Sequence, residues 1–173
     1  DGGGVRNVND ARQLLFSGAD KVAINSAAIR DPKIILNIAE EFGSQCMVLS
    51  IEAKKKGNSW EAFIDNGREP TGLDVMDWVI KSQKLGVGEI LITSIDQEGT
   101  EKGFDEDLAI HVSKVSNVPI IVSGGMGKLS DLNFLKKKVQ IDGIAIASVL
   151  HFNRLSISEI KDYANNINIQ IRN

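Results

Sequence analysis

The chain carries one supersecondary unit twice, and this duplication constrains the fold more than any other feature. The first copy opens on the glycine-rich turn Gly2-Gly3-Gly4-Val5-Arg6, continues with a helical pattern, and ends in the strand-like stretch 20–26. The second copy opens on Ser123-Gly124-Gly125-Met126-Gly127 and ends in the strand-like stretch 142–148. The sequence therefore predicts two copies of the same local structure.

The two copies align residue by residue. When Gly4 is placed on Gly125, 121 residues further on, Asp10 falls on Asp131. One inserted residue then brings Asp20 onto Asp142 and Ser26 onto Ser148. A glycine-rich turn that opens a helix, followed by a strand ending in a small polar residue, presents backbone N–H groups to an anion. We call each such arrangement of glycine-rich turn, helix and strand end a cradle. Two cradles predict a ligand with two phosphates.

Helical and strand-like patterns alternate along the whole chain. The predicted strands are Lys21–Asn25, Cys46–Glu52, Glu89–Thr93, Pro119–Ser123 and Gly143–Ala147. The predicted helices are Val8–Phe16, Pro32–Phe42, Asp74–Leu85, Asp105–Val115, Ser130–Lys137 and Ser156–Ala164, and the excursion 54–71 fits a hairpin. Such alternation indicates a parallel α/β sheet, either open or closed into a barrel. Because a (βα)8 barrel has about 250 residues, a repeat of 121 is half of one and favours the α/β TIM barrel.

Only five of the eight strands of such a barrel are present, and the strand expected before the first glycine turn is missing. We therefore interpret residues 1–173 as the C-terminal two-thirds of a single (βα)8 domain, with another chain supplying the rest as the alternative. A fragment of this kind would leave sheet edges open.

Alternation along the strands predicts which side chains face the barrel interior. Lys21 and Glu89 would lie at its N-terminal end, either as a solvated pair or as a charged gate over a passage. The opposite, C-terminal end would collect the polar residues Asn25, Glu52, Thr93 and Ser123, and active sites of this fold lie at that end.

Glu52 is the strongest catalytic candidate, because a carboxylate that ends an apolar strand needs a partner, a raised pKa or a chemical role. Glu98, in the loop after a strand, is a weaker candidate, because acids in loops are usually solvated.

Composition excludes several function classes. The net charge of −3 disfavours nucleic-acid binding, and one Cys with two His predicts no disulfide and no ordinary zinc site. No apolar run approaches the ~20 residues that span a bilayer, and no signal peptide is visible. We therefore expect a cytoplasmic protein without membrane contact, bound metal or cofactor.

Taken together, several stretches resemble the cyclase subunit (HisF type) of imidazole glycerol phosphate synthase, a (βα)8 barrel of histidine biosynthesis. The stretches that carry the resemblance are 2–6, 18–28, 42–46, 86–96, 123–125 and 147–152. A single glycine turn would be weak support, but the set spans nearly the whole chain and is specific.

The resemblance implies an enzyme and its substrate. Ammonia reacts with a phosphoribulosyl-formimino aminoimidazole carboxamide ribonucleotide, giving imidazole glycerol phosphate and an aminoimidazole carboxamide ribonucleotide. Two carboxylates act as general acid and base, and we expect Glu52 and Glu98 to do so with Thr93 and Ser123 beside them. The resemblance also implies two phosphate-binding sites, each of which we call a phosphate seat. The first seat consists of Gly4, Asn25 and Ser26 with the Gly99 loop. The second consists of Gly124, Gly125, Ala147 and Ser148.

The resemblance also implies a glutaminase partner that delivers ammonia to the bottom of the barrel. Lys21 and Glu89 match family positions of the charged gate, and Asp20 matches a position that contacts the glutaminase.

The departures from the family pattern leave alternatives open. One catalytic aspartate of the family lies on the first strand, which this chain lacks, and the other is Glu52 here. The usual Arg-Asp of the later loop is Gln97-Glu98. A displacement of about 1 Å in a catalytic group can cost about 100-fold in rate, so a different acceptor is the second hypothesis, in an ammonia-channelling barrel that serves amidation of a surface-polysaccharide sugar. A non-catalytic barrel that only docks a glutaminase is the third.

Overall fold

A computed structural model describes residues 3–137 and 139–171 and shows an α/β protein. Its strands are β1 (Val22–Ile24), β2 (Met47–Lys56), β3 (Ser59–Ile64), β4 (Glu69–Asp74), β5 (Glu89–Ser94), β6 (Ile120–Ser123) and β7 (Gly143–Ala145). Its α-helices are α1 (Val8–Phe16), α2 (Ser26–Arg30), α3 (Lys33–Phe42), α4 (Val75–Lys84), α5 (Glu106–Val115), α6 (Ser148–His151) and α7 (Ile157–Asn166). Two 3₁₀ segments, Ser44–Cys46 and Leu129–Lys136, complete the regular structure of these residues.

Five strands pair in parallel and in chain order, as β1-β2-β5-β6-β7. Each of these strands overlaps one of the five predicted strands, so the predicted parallel α/β architecture is confirmed. Parallel neighbours need a long crossover connection, and the segments between these strands contain the helices. Consecutive order is what a (βα)8 barrel requires, although β1 and β7 each pair with a single strand within the described ranges. Closure of the barrel stays a prediction.

The predicted excursion forms a hairpin on the second half of β2. Strand β2 continues four residues beyond its predicted end at Glu52, and β3 pairs antiparallel with this extension, from Glu52 opposite Phe63 to Lys56 opposite Ser59. Strand β4 then pairs antiparallel with β3 and reaches Asp74, which caps α4 by accepting the Met76 N–H. The hairpin therefore stands at the C-terminal edge of the parallel sheet.

The two faces of the sheet differ as alternation predicts. Val22, Ile24, Ile90 and Ile92 are at most 2% exposed and belong to a core shared with buried residues of the helices. The opposite face carries the half-buried residues Ala23, Ser50, Leu91 and Ile121. The helices thus cover one face, and the other is the face predicted to line the barrel interior.

The predicted helix Ser130–Lys137 is wrong in type, because the structure has a 3₁₀ segment there, Leu129–Lys136. The segment contains Ser130, Asp131 and Asn133, residue types that are unfavourable in the interior of an α-helix. This composition favours the tighter 3₁₀ helix, which occurs in short segments. The short helices α2 and α6 are not among the helices predicted from the sequence.

The duplication is confirmed in three dimensions. The Asp10 carboxylate accepts the N–H groups of Arg6 and Asn7, and the Asp131 carboxylate accepts those of Gly127 and Lys128, at distances of 2.8–3.2 Å. The residues before α2 and α6 share an unusual conformation, with φ −116° and ψ −84° at Asn25 and φ −128° and ψ −65° at Ala147. The two copies therefore share backbone detail as well as sequence. Gly2, which begins the first motif, lies outside the described residues.

Candidate active site

The predicted polar row assembles at the C-terminal ends of three neighbouring strands. Glu52 of β2 is in register with Thr93 of β5, and Thr93 is in register with Ser123 of β6. The Asn25 side chain reaches the same place from the end of β1 and donates a hydrogen bond to Glu52 Oε2 at 3.2 Å. The structure therefore brings these four residues together, while their chemical roles stay predictions.

Glu52 has the electrostatic setting of an acid–base group. Its Oε2 also accepts the Gly67 N–H at 2.6 Å, from the turn between β3 and β4. Burial raises the pKa of Glu52 above its usual value, the charges of Glu98 and Asp65 raise it further, and the hydrogen bonds from Gly67 and Asn25 oppose the shift. A carboxyl group with a raised pKa holds a proton closer to neutral pH and can then act as a general acid.

A cavity of about 760 Å³ opens between the first glycine turn and Glu52. Gly3 and Gly4, with φ of +87° and +77°, form one wall, and Asn25 and Ser26 form another. Of the predicted seat for the first phosphate, Gly4, Asn25 and Ser26 thus line one cavity together with Glu52.

Three arginines in this cavity were not found from the sequence. Arg6, Arg30 and Arg68 all line it and are exposed, so it offers positive side chains as well as backbone N–H groups. Arginine suits phosphate through its planar fork of donors. The position of Arg6 next to the glycine turn could have predicted its place in the cavity from the sequence. Arg68, by contrast, reaches the cavity only because of the way the hairpin folds.

The turn of the hairpin also lies against this cavity. Asp65, Asn66 and Gly67 have φ of +51°, +56° and +73°, the left-handed conformations that Asp, Asn and Gly tolerate best. The Asp65 carboxylate accepts a hydrogen bond from Arg30 Nη2 at 2.9 Å. The Asp65 N–H donates to Ser26 Oγ at 3.0 Å. The Asp-Asn-Gly sequence predicts a hairpin turn, but not these contacts.

The second cradle is more tightly packed than the first. Gly124 and Gly125 have φ of +94° and +102° and lie against the loop after β5. The Gly103 N–H donates to the Gly125 carbonyl at 2.8 Å. A Cβ at Gly124 would lie 2.9 Å from the Ser94 carbonyl oxygen, and one at Gly125 would overlap the Gly103 carbonyl oxygen. Glycine is required here because backbone approaches backbone.

The Gly99 loop lies beside the second cradle, which corrects its expected placement. We expected Gly99 next to Gly4, Asn25 and Ser26, but Gly99 does not line their cavity, and the neighbouring Glu98 backbone lies 3.5 Å from the Cβ position of Gly124. The reason is the sheet order, because the loop after β5 emerges next to β6, whereas the first cradle precedes β1. Glu98 itself is exposed, and its charge still reaches Glu52.

The remaining two residues of the second predicted seat follow β7. Ala147 precedes α6 and Ser148 begins it, in the positions that Asn25 and Ser26 have at α2. Ala147 is exposed and Ser148 half-buried. Their binding of a phosphate stays a prediction.

At the N-terminal end of the sheet, Lys21 Nζ forms an ion pair with Glu89, as the solvated-pair and gate hypotheses both require. The side chain of Lys21 is 45% exposed and that of Glu89 is 15% exposed. Asp20 is exposed beside them. The contact is confirmed, and the gate and partner-contact roles stay predictions.

Within residues 3–137 and 139–171, no group of three or more His, Cys, Asp or Glu side chains could hold a metal ion. None of the helices in the same ranges is both long and apolar enough to cross a membrane.

A parallel sheet in chain order, with polar side chains at the carboxyl ends of its strands and two glycine cradles beside them, is the arrangement of a (βα)-type enzyme. The family model described as "Histidine biosynthesis protein" matches residues 2–156.

Three relatives carry the description imidazole glycerol phosphate synthase subunit HisF. The chain is 47% identical over 173 residues to the one of Clostridium botulinum strain 657, covering 99% of this chain and 68% of the relative. It is 46% identical over 171 residues to that of Dehalococcoides mccartyi strain BAV1 and 47% identical over 172 residues to that of Dictyoglomus turgidum, with the same shares covered. The chain therefore belongs to the histidine biosynthesis protein family and is of the HisF cyclase type. The predicted resemblance and the prediction of an enzyme of histidine biosynthesis are confirmed.

Proposed function

We propose that this chain carries an active site in which ammonia converts phosphoribulosyl-formimino aminoimidazole carboxamide ribonucleotide to imidazole glycerol phosphate and an aminoimidazole carboxamide ribonucleotide. The observation that carries the proposal is the position of Glu52, a half-buried carboxyl group of raised pKa at the end of the polar row, in a cavity that begins at a glycine cradle. HisF-type membership supports it.

The two phosphates of this substrate occupy the two cradles. Gly4, Asn25 and Ser26 bind one of them, and the arginines of the cavity supply the positive charge. Gly124, Gly125, Ala147 and Ser148 bind the other, and we move Gly99 to this second group because its loop lies there. An elongated bisphosphate then crosses the polar row between them.

The reaction needs protons delivered to and removed from one substrate in turn. Glu52 is the general acid and base of this chain, and Glu98 is the candidate for a second, from the neighbouring loop. Thr93, which is adjacent to Glu52, and Ser123, which is adjacent to Thr93, supply the hydroxyl groups of the row and orient the substrate. A bisphosphate fixed at both ends gains reactivity because its reacting carbon is held next to these groups.

Ammonia comes from a glutaminase subunit bound at the opposite end of the sheet. The Lys21–Glu89 pair stands at that end and forms part of a gate, and Asp20 contacts the partner. The relatives are described as subunits, which supports a complex of more than one chain.

Residues 1–173 form part of a single barrel domain. The chain spans 68% of the length of the relatives, and in the described residues β1 and β7 each have one unpaired edge. An apolar groove of about 360 Å³ lies beside β7, lined in part by Ile144, Ile146 and Ile160. Strands and helices corresponding to the remaining third of the relatives would pair with these edges and cover the groove.

The test is an assay of the full-length protein with the bisphosphate and an ammonium salt, following product absorbance. We expect turnover, and we expect Glu52→Gln to lose at least 100-fold in kcat because general acid–base catalysis contributes about 10²–10⁴-fold. Glu69→Gln is the matched control, because Glu69 is an exposed acid on the hairpin, outside the cavity. No turnover would remove the cyclase proposal, and an unaffected Glu52→Gln would remove the role of Glu52.

A second candidate function is supply of ammonia for amidation of a surface-polysaccharide sugar. Glu52 and the Gln97-Glu98 pair, which differ from the pattern that the resemblance implies, favour it. It predicts that the protein stimulates a glutaminase but does not convert the bisphosphate. A barrel that only docks the glutaminase would in addition tolerate Glu52→Gln without any loss in coupled ammonia transfer.

A further inference from the structure

The Asp65 carboxylate already occupies part of the first phosphate seat. Ser26 Oγ donates to Asp65 Oδ1 at 3.4 Å and accepts the Asp65 N–H at 3.0 Å. Arg30 Nη2 donates to Asp65 Oδ2 at 2.9 Å. One internal carboxylate therefore engages both the hydroxyl group and a guanidinium group of the cavity that we assign to a substrate phosphate.

The same hairpin turn also contacts Glu52. Two residues after Asp65, the Gly67 N–H donates to Glu52 Oε2 at 2.6 Å. Before Asp65, the Phe63 carbonyl accepts a hydrogen bond from Asn25 Nδ2 at 3.0 Å, and this amide also donates to Glu52. A movement of the turn therefore changes the seat of the phosphate and the setting of Glu52 together.

We propose that Asp65 is an internal competitor of the substrate phosphate, which binds by displacing the Asp65 carboxylate from Ser26 and Arg30 and so moves the hairpin turn away from Glu52. The proposal rests on the proposed phosphate seat. It assigns to Asp65 a positioning role, because Asp65 acts on the reacting groups through the hairpin turn.

Charge and exposure favour this exchange. A phosphate group carries up to two negative charges and three acceptor oxygens, against one charge and two oxygens on the carboxylate. The side chains of Asp65 and Arg30 are 41% and 58% exposed, and ion pairs at such positions are weak. Because two anions cannot share the same donors without repulsion, the carboxylate must leave when the phosphate binds.

Displacement also prepares Glu52 for its role. Glu52 loses the Gly67 hydrogen bond, which stabilises the ionised form, and the more strongly charged phosphate replaces the Asp65 carboxylate as the neighbouring anion, so both changes favour the protonated form. The other charged groups around the cavity are Arg6, Arg30, Asp31, Asp65 and Arg68, with Glu98 acting from the loop after β5. Binding of the substrate would thus deliver a protonated Glu52 to the reaction.

The test compares Asp65→Asn with Glu69→Gln in the full-length protein, titrated with inorganic phosphate by calorimetry. Asp65→Asn keeps the backbone donors and the turn preference but removes the competing charge, and we expect about tenfold tighter phosphate binding. Glu69→Gln removes one negative charge from an exposed position on β4 of the same hairpin and should leave the dissociation constant within about twofold. Unchanged or weaker binding in Asp65→Asn overturns the proposal.

A phosphate-soaked crystal structure then locates the ion. We expect it against Gly4 and Ser26, with Arg30 turned from Asp65 to the phosphate. A phosphate bound there while the Asp65–Arg30 and Asp65–Ser26 contacts remain intact would also overturn the proposal.

The pH profile separates a positioning role from a purely structural one. In the free enzyme the Asp65 charge helps to raise the pKa of Glu52. Asp65→Asn should therefore shift the limb that reports Glu52 in the pH profile of kcat/KM to lower pH. The same limb in the pH profile of kcat should not shift, because kcat reports the enzyme–substrate complex, in which Asp65 is already displaced. A shift in both limbs, or in neither, contradicts the proposal.

The proposal can fail separately from the proposed function. Normal turnover without tighter binding in Asp65→Asn would overturn only the role of Asp65. Tighter phosphate binding in this variant without any conversion of the bisphosphate would keep the competitor and remove the cyclase reaction.

Discussion

The two glycine cradles have the same backbone design and different surroundings. Asp10 and Asp131 cap the two turns through equivalent N–H groups, and Asn25 and Ala147 share an unusual conformation before the short helices that follow. The first cradle faces an open cavity with three arginines. The second is packed against the backbone of the loop after β5.

This difference shows what a duplication preserves. The capping carboxylate and the turn conformation depend on residues within one copy, so both copies keep them. The neighbours come from elsewhere in the chain, the hairpin at the first cradle and the loop 94–103 at the second, so they are free to differ. The first cradle therefore offers side-chain charge, and the second offers close backbone packing.

The largest expected effect is the difference between Gly125→Ala and Gly4→Ala in the free energy of unfolding. Both glycines have positive φ, so both substitutions carry a backbone penalty of roughly 1–2 kcal/mol. A Cβ at Gly4 meets no atom within 4 Å, whereas one at Gly125 would overlap the Gly103 carbonyl oxygen and add about 1–3 kcal/mol. Urea denaturation of the full-length variants measures both, and equal losses would show that the packing difference has no energetic consequence.

A smaller effect should be shared by both copies. Asp10→Ala and Asp131→Ala each remove a carboxylate that accepts two N–H groups, and we expect each to lose about 1 kcal/mol of stability. Because the two carboxylates accept equivalent N–H groups at similar distances, the two losses should be similar. Asp10→Asn and Asp131→Asn are the controls, since an amide oxygen can still accept. A loss in only one copy would break the equivalence.

The smallest effect concerns the ionisation of Glu52 beside the first cradle. Its pKa is raised by burial, so the folded state binds the proton more tightly than the unfolded state does. Linkage then makes this contribution to stability fall as pH rises from the unfolded value near 4.5 through the raised folded value. Glu52→Gln removes the ionisable group, so its stability relative to the native protein should increase between pH 4 and pH 7.

Thermal denaturation of Glu52→Gln and the native protein at several pH values measures this trend. A relative stability of Glu52→Gln that falls with rising pH would mean that the hydrogen bonds from Gly67 and Asn25 outweigh burial.

The sequence predicted the parts that depend on local pattern and on period. The five parallel strands, the alternation of their faces and the row of Glu52, Thr93 and Ser123 all follow from two-residue periodicity together with the alternation of strands and helices along the chain. The equivalence of Asp131 and Asp10 was visible in the repeat, but their capping contacts were not predicted. The 3₁₀ segment Leu129–Lys136 was predicted as an α-helix, because a hydrophobic pattern over eight residues does not separate the two.

The contacts between distant segments were not predictable in the same way. Asp65 contacts Ser26 and Arg30, which lie 39 and 35 residues away in the sequence. The alternating pattern of β3 does not indicate on which side of the sheet edge the hairpin packs. The placement of the Gly99 loop was wrong for a similar reason, since it depends on the order of strands in the sheet. The arginines of the cavity were missed because each comes from a different element.

By itself, the sequence determined the duplicated glycine turns, their capping aspartates and the polar ends of the parallel strands, because each is encoded within one short segment. Only the tertiary structure decided that Asp65 lies on the first cradle, that the Gly99 loop packs on the second, and that Glu52 is half-buried between a hairpin turn and Asn25. The physical reason is that capping and periodicity are local interactions, whereas charge, burial and access at the site arise from segments that the fold brings together over many residues.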